Sequence, residues 1–597
     1  MKEGSQGGMT EQLCLDVTCS INGRKWTYRH DTEVLDGYAS KTGLPLLKAA
    51  LLLGRGVPET EIDRFLNPTL KNSLPNPSDI LDTDKAAKLI LDYIAAGKRI
   101  TLFSDYDVDG GTSAAQLIRW GRGIGYDFGL YVPDRVKEGY GPSDAAFDQL
   151  KSEAVDLVVT LDCGAAAYGA LEHADKIGLP VIVVDHHLMD HTPPPALAVV
   201  NPNRKDDHSG QGHLAAAGVT FMLLVALRRE ARSRELSSDV DLKSLLGLTA
   251  LGTICDVVPL RGVNRAIVRQ GLKVLSANQN MGVQALADVA AAEPPYTTHH
   301  AGFILGPRIN AGGRIGRADM GAELLSTENA QLAYAHAAEL DRVNQQRRQM
   351  QDKILSEALE LAHLQSEEPV IIVAMPDWHP GIIGIVAGRL KDRFRRPTIV
   401  IGVDNYAVPP VAKGSGRSIS GVDLGGALAA AKAEGLLTSG GGHEMAGGLS
   451  MMPDKIDDFR AFMSAHMAAP VERALENDSV KVDFVISLGS VDKDLMQAID
   501  SVGPYGAGNP QPIFAFSDVN VSFAKRTKGD HVRFTLSDSL GGSIGGICFG
   551  ASESSMDEAL LLAGPQKFHA VGRLKNNEWN GRVTLDLQLL DLAPVID

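Results

Sequence analysis

The chain has 597 residues and a formal net charge of −15. That length exceeds what one hydrophobic core organises, so three or four domains are expected, and the acidic balance excludes a protein that coats nucleic acid through bulk positive charge. Cys14, Cys19, Cys163, Cys255 and Cys548 form no CxxC pair and no zinc spacing, which argues against a disulfide framework and for a reducing compartment.

The opening segment MKEGSQGGMTEQ lacks the basic and apolar regions of a secretory signal, and no apolar run reaches transmembrane length, so a cytoplasmic location is expected. Residues 1 to about 20 read as flexible, with Met9 an alternative start. Short amphipathic stretches follow over 44–74, and residues 82–96 read as a helix leading into the strand RITLFSD. This strand runs through Gly110, Gly111 and Thr112 into the apolar SAAQLIRWGRGIG, a strand-to-helix switch at a glycine turn. Two more buried strands are predicted at 155–162 and 179–187. Strands alternating with helices at this spacing indicate a parallel α/β sheet, whose ligands collect at the carboxyl ends of the strands. Asp105, Asp107 and Asp109 of DYDVDG, Asp162 of LDCG, and Asp185, His186 and His187 of VDHH all fall at such ends. A fourth cluster, ending in Asp256, closes the helical run LLGLTALGTICD.

Beyond Asp319 the pattern is helical. Leu340, Val343, Met350, Ile354, Ala358 and Leu361 mark one face of a long helix, with Arg342, Arg347, Arg348 and Lys353 assigned to the other. A second α/β region runs from VIIVAMP to the glycine-rich GGGHEMAGG, and after Asn477 short alternating strands suggest a small β-barrel.

Carboxylate oxygens with imidazole nitrogens suit manganese, and also magnesium or zinc. A two-ion site needs more carboxylates than one strand supplies, which is why clusters from four segments matter together. Any one alone is ordinary: Asp-x-Asp at a strand end is usually a turn or a helix cap. Cys163 and Cys255 adjoin two of the clusters, and are read as small packing residues rather than thiolate ligands.

The four clusters resemble the motifs of the DHH phosphoesterase superfamily, named for the triplet seen here as Asp185, His186 and His187. YVPDRVKEGYG, VVNPN, GPRINAGGRIGR, LDRVNQQRRQMQ, SGRSISGVDL, GGGHEMAGG and PYGAGNPQPIF extend the resemblance to the RecJ exonuclease branch over nearly the whole chain from about residue 45. The resemblance implies an α/β protein: a parallel-sheet DHH catalytic domain and a DHHA1 α/β domain joined by a long helix, plus a C-terminal OB-fold-like barrel. The matching boundaries are 1–80 for an N-terminal segment, 81–337, 338–366 for the helix, 367–470 and 478–597.

By motif, the resemblance implies two divalent ions, Mn2+ foremost and Mg2+ as the alternative, held by Asp105, Asp107, Asp109, Asp162, His186 and Asp256. Asp162 would bridge the ions, His187 would face the scissile phosphate and Asp185 would brace the loop. Smaller members of the superfamily carry a histidine where this chain has Phe103, so Asp105 is read as its replacement. For the substrate, the resemblance points to Arg135, Asn310, Arg314, Ser415, Arg417, Gly441, Gly442 and His443, with guanidinium forks suited to phosphate. In the barrel, Lys525, Arg526, Lys528, Arg533, Arg573 and Lys575 lie near Phe523, Phe534 and Trp579, a mixture that can track a single strand, Trp579 being the best candidate for stacking.

The implied activity is 5′-to-3′ hydrolysis of single-stranded DNA to nucleoside 5′-monophosphates in repair and recombination, with a RecQ-type helicase and single-stranded-DNA-binding protein as partners and no membrane. The alternatives are a catalytically silent DHH-fold DNA-binding scaffold and a phosphoesterase of short oligonucleotides or pyrophosphate. Length and the terminal barrel argue against the latter, and the intact ligand set against the former.

Overall fold

The computed structural model describes residues 12–135, 138–189, 192–236, 240–277, 280–527, 529–551, 554–579 and 582–595. The chain divides into two units: residues 75–258 with 270–477, and residues 1–74 with 259–269 and 478–597.

In the larger unit, β1 (Ile100–Ser104) leads into helix α1 (Val108–Arg122), and β2 (Gly129–Tyr131), β3 (Leu157–Leu161), β4 (Val181–Val184) and β5 (Ala198–Val200) complete a sheet of order β2-β1-β3-β4-β5. Every pair is parallel. β1, β3 and β4 are buried along their whole length, as β-branched and leucine-rich strands covered on both faces should be. The chain leaves β1 for β2 on one side and returns to β3 on the other, so the sheet has its topological switch between β1 and β3. A crevice opens at the carboxyl ends of strands at such a switch. Helices α2 (Ala216–Ser233) and α3 (Leu246–Cys255) pack on α1.

Helix α4 (Gly306–Ile315) precedes the 34-residue α5 (Ala330–His363), about 51 Å long at 1.5 Å per residue. Leu340, Val343, Ile354 and Ala358 are buried along α5 as the periodicity predicts. Arg347 departs from the expected outer face: it is buried, and its guanidinium donates to Asn344 Oδ1 (3.1 Å) and Gln351 Oε1 (2.6 Å). The reason is geometric, since 343, 347, 351 and 354 form one i, i+4, i+8, i+11 stripe. The second sheet contains β6 (Ile371–Pro376), then, after helix α6 (Pro380–Phe394), β7 (Thr398–Asp404), β8 (Val411–Arg417), β9 (Ser439–His443) and β10 (Ala446–Met451), in the order β9-β10-β8-β7-β6. Only β6 and β7 run parallel.

In the smaller unit, strands Phe514–Thr527, His531–Ser537, Ser543–Cys548, Lys567–Trp579 and Arg582–Pro594 close into a barrel, because the first pairs with the fourth as well as with the second. Phe514, Phe516 and Phe534 fill its interior. Residues 12–20 are not the loose tail expected from composition. Leu13 bridges to Thr27, Cys14 and Trp26 are fully buried, and Ser20 Oγ donates to Asp591 Oδ2 (2.6 Å). The apolar Cys14 and Val17 hold this segment in a core with Val480 and Val571. Among the described residues no helix is long and apolar enough to cross a membrane.

Candidate metal centre and phosphate cradle

Asp105 leaves β1 with its amide donating to the Leu161 carbonyl (3.1 Å). Asp107 then caps α1, its Oδ1 accepting from the amides of Asp109 (2.9 Å) and Gly110 (3.2 Å). A Cβ at Gly110 would lie 2.4 Å from the Asp105 carbonyl oxygen, so only glycine lets the helix start this close to the strand end. Asp109 is buried, and its two oxygens accept from the first amides of α2, Ala216 (2.6 Å) and Ala217 (2.8 Å). Gly252 of α3 permits that arrangement, because its Cβ would lie 2.8 Å from Asp109 Oδ1. Asp162 follows β3 in the left-handed region (φ 62°), where aspartate is tolerated better than most residues. Asp256 is the C-cap of α3.

These segments meet at His186. Its Nε2 lies 3.4 Å from Asp162 Oδ1, 3.5 Å from Asp256 Oδ2 and 3.9 Å from Asp109 Oδ2. Three donor sets come within metal-ligating reach: Asp105, Asp107 and Asp162; Asp109, His186 and Asp256; and Asp162, His186 and His187. Asp105 Oδ1, Asp162 Oδ1, Asp256 Oδ2 and His186 Nε2 are all buried without a hydrogen-bond partner. Buried polar atoms are normally satisfied. Four orphans converging with no protein donor between them are what a cation-binding cage requires, and their hard and borderline character fits Mn2+ or Mg2+.

The electrostatics agree. Burial raises the Asp105 carboxyl well above the usual range, with Asp107 adding to it, and Asp162 is raised by burial, then by Asp109 and Asp107. Burial raises Asp109 as well, helped by Asp256, and pushes Asp256 up to about 7, helped by Asp107. Burial, reinforced by His187, lowers His186 to about 4, so at neutral pH its ring is uncharged and able to ligate.

Asp185 faces donors instead. Its Oδ1 accepts from the amides of His186 (2.7 Å) and His187 (3.1 Å) and from His187 Nδ1 (2.7 Å), and Oδ2 accepts from the Ala165 amide (2.9 Å). Burial opposes its charge, but these bonds outweigh it and hold the carboxyl at about 2. Burial likewise opposes the His187 imidazolium, yet Asp185 raises that ring to about 9. Phe103 is buried and stacked on Tyr131 (centroids 5.2 Å apart).

A cavity of about 300 Å³ is lined by Asp105, Asp107, Asp162, His187 and Asp256, and also by Arg135, Asn310 and Arg314. Arg135 and Arg314 line a second cavity of about 330 Å³ together with Lys413, Ser415, Arg417 and Gly448. Asn310 Oδ1 accepts from the Val108 amide (3.1 Å), which ties α4 to the start of α1. Arg314 Nη1 donates to the Gly381 carbonyl (3.0 Å), and Arg417 Nη1 donates to Ser415 Oγ (3.2 Å). Gly384 of α6 admits this pair, since a Cβ there would lie 2.8 Å from Ser415 Oγ.

The structure does not bring every expected residue to these cavities. Gly441, Gly442 and His443 lie on the outer strand β9 and line neither; the partner strand β10 supplies the wall through Gly448. In the barrel, Arg526 is ion-paired with the buried Asp557, Phe534 is core and Phe523 is half exposed. Lys528 and the Trp579 side chain lie outside the described residues. Sequence reasoning passed over Tyr106, Tyr140, His379 and Lys413, which all line a cavity. Tyr140 sat within the quoted YVPDRVKEGYG, but nothing in spacing shows that this loop folds over His187.

Comparison with known proteins places this geometry. Residues 99–253 match the DHH family N-terminal domain, 367–469 the DHHA1 domain and 482–591 the RecJ OB domain. The single-stranded-DNA-specific exonuclease RecJ of Salmonella typhimurium is 33% identical over 92% of this chain and 96% of its own length. That of Bacillus subtilis is 32% identical over 95% of this chain and 70% of its own. Among solved structures, Thermus thermophilus RecJ in complex with Mn2+ superposes with a TM-score of 0.76 at 29% identity, covering 94% of this chain and 78% of that one. With its catalytic sheet, second sheet and barrel each matched in order, the chain belongs to the RecJ family of single-stranded-DNA-specific exonucleases.

Proposed function

We propose that the chain removes nucleotides one at a time from the 5′ end of single-stranded DNA, releasing nucleoside 5′-monophosphates. The observation that carries this reading is the sharing of Arg135 and Arg314 by the two cavities, one lined with carboxylates and the other with Lys413, Ser415 and Arg417. A terminal phosphate seated on Ser415 and Arg417 would leave the next phosphodiester within reach of the carboxylate cage, with Arg135 and Arg314 between. Guanidinium forks match phosphate oxygens in pairs, and a cradle that recognises a chain end makes the reaction exonucleolytic.

Two divalent ions, Mn2+ or Mg2+, would be held by Asp105, Asp107, Asp109, Asp162, His186 and Asp256. When bound, such a pair supplies Lewis-acid polarisation of the phosphodiester and activation of a water. Asp109 is fixed by the α2 amides and Asp107 by its helix cap, so the carboxylates are positioned before any substrate arrives. His187 is read as a phosphate-facing residue, because it lines the carboxylate cavity with Nδ1 on Asp185 and Nε2 meeting the Tyr140 hydroxyl. A RecQ-type helicase would supply unwound strands and single-stranded-DNA-binding protein would hold them open. The cytoplasm is the compartment where these partners and free thiols coexist.

The test is digestion of a single-stranded oligonucleotide labelled separately at each end, with Mn2+ and with chelator. Label at the 5′ end should appear first, as a mononucleotide and only with metal. Release of the 3′ label first would reverse the polarity, and metal-independent release would sink the mechanism.

A further inference from the structure

The loop carrying Tyr140 makes a contact that the two-ion site does not require. Tyr140 is flanked by Gly139 (φ 91°) and Gly141 (φ 73°), left-handed positions that suit glycine and turn the loop sharply on both sides of the ring. The turn sets the phenol hydroxyl 3.2 Å from the Asp162 carbonyl oxygen and 3.3 Å from His187 Nε2, with the ring standing edge-on to the imidazole at 70°. His187 is therefore held at both nitrogens: Nδ1 by the Asp185 carboxylate at 2.7 Å and Nε2 by Tyr140. A carboxylate only accepts, so Nδ1–H points to Asp185, while the Tyr140 hydroxyl, which can both donate and accept, meets the Asp162 carbonyl and His187 Nε2 together.

We propose that Tyr140 is a positioning residue for His187: it fixes the imidazole plane over the cavity and holds Nε2 toward the place that a phosphoryl oxygen of the substrate takes. This rests on the exonuclease reading above. A half-exposed histidine with one anchor can swing about its side-chain bonds, whereas one anchored at both nitrogens is preorganised for the group it meets. The backbone carbonyl chosen as the second anchor belongs to Asp162, so the aim of His187 is tied to the carboxylate shared by two donor sets. An exposed tyrosine beside a substrate cavity has an ordinary alternative role, direct contact with the DNA, and the two roles separate experimentally.

The experiment compares wild type, Tyr140→Phe, His187→Ala and the double variant on a 5′-labelled single-stranded oligonucleotide with Mn2+. Tyr140→Phe keeps the ring and removes only the hydroxyl. It should lower kcat about 10- to 100-fold, the scale for losing a group that orients an active-site side chain, with KM and bound Mn2+ unchanged. In the His187→Ala background the same change should have no further effect, because the group it orients is gone. A full multiplicative loss in the double variant, an effect confined to KM, or wild-type turnover of Tyr140→Phe would each overturn the proposal. Should His187→Ala turn over too slowly to measure, the Nε2 resonance of His187 in histidine-15N-labelled enzyme, identified by its loss in His187→Ala, decides. It should move in Tyr140→Phe, and an unmoved resonance rejects the proposal. Failure of the wild-type enzyme to digest the oligonucleotide would instead reject the exonuclease reading itself.

Discussion

Two regions of the molecule bury aspartate, and they treat it in opposite ways. In the smaller unit Asp483 is completely buried, with Oδ1 accepting from Arg55 Nη1 (2.8 Å) and Oδ2 from Arg29 Nε (3.2 Å) and the Ile513 amide (2.9 Å). In the larger unit Asp162 is as deeply buried, yet its Oδ1 has no donor and its neighbours are Asp105, Asp107 and Asp109. A buried charge is tolerated when paired and hydrogen-bonded. Asp483 meets that condition with the protein's own cations and Asp162 does not, so only at Asp162 has the fold left room for a cation from outside. Hydrogen-bond satisfaction, and not residue type, separates the structural ion cluster from the functional one.

Asp162→Asn should lower exonuclease turnover by at least about 1,000-fold, the scale of losing one member of a preorganised charged site. It should also raise the melting temperature of the metal-free protein, because one of several mutually repelling carboxylates is gone. A fall in that temperature would mean that Asp162 is satisfied in some other way.

The converse holds for Asp483. Asp483→Asn leaves Arg29 and Arg55 facing an amide and should destabilise its unit by about 3 kcal/mol in denaturant titration. Added Mn2+ should not rescue it. Recovery of the lost stability by Mn2+ would erase the distinction between the two clusters.

Burial and Asp107 raise the Asp256 carboxyl to about 7, against about 3.9 for an aspartate in an unfolded chain. A folded value above the unfolded one means that the metal-free protein holds this proton better when folded. The associated stability is therefore full below about pH 4 and is lost as pH rises through about 7. Metal binding must expel the same proton, so Mn2+ affinity should fall by at least about tenfold per pH unit below about 7. Calorimetry in buffers of different ionisation enthalpy reads the proton released. An affinity that does not change between pH 5 and 7 would remove Asp256 from the ligand set.

The parallel sheet, the long helix and the closing barrel were legible from local pattern, because a strand buried on both faces, a 3.6-residue stripe and short alternating strands each leave their own period. DYDVDG, LDCG, VDHH and ICD were legible as ligand candidates for the same local reason: strand and helix ends have to expose their carboxylates at a switch in strand order. Arg347 shows where pattern stops, since a charged residue on the buried stripe of α5 is acceptable only because Asn344 and Gln351 receive its donors. The tail at 12–20 is similar, its burial depending on Asp591, more than 500 residues away in sequence.

By itself, then, the sequence determined which chemistry is available: six carboxylate or imidazole ligand candidates on four segments, and arginines whose guanidinium forks suit phosphate. Only the tertiary structure decided that Asp105, Asp162, Asp256 and His186 turn bare atoms toward one another while Asp185 turns its oxygens to amides. It also decided that Arg135 and Arg314 border two cavities and that Tyr140 folds back onto His187. Residue type and spacing are local properties, whereas hydrogen-bond satisfaction depends on which distant segments pack together, and that is settled only when the chain folds.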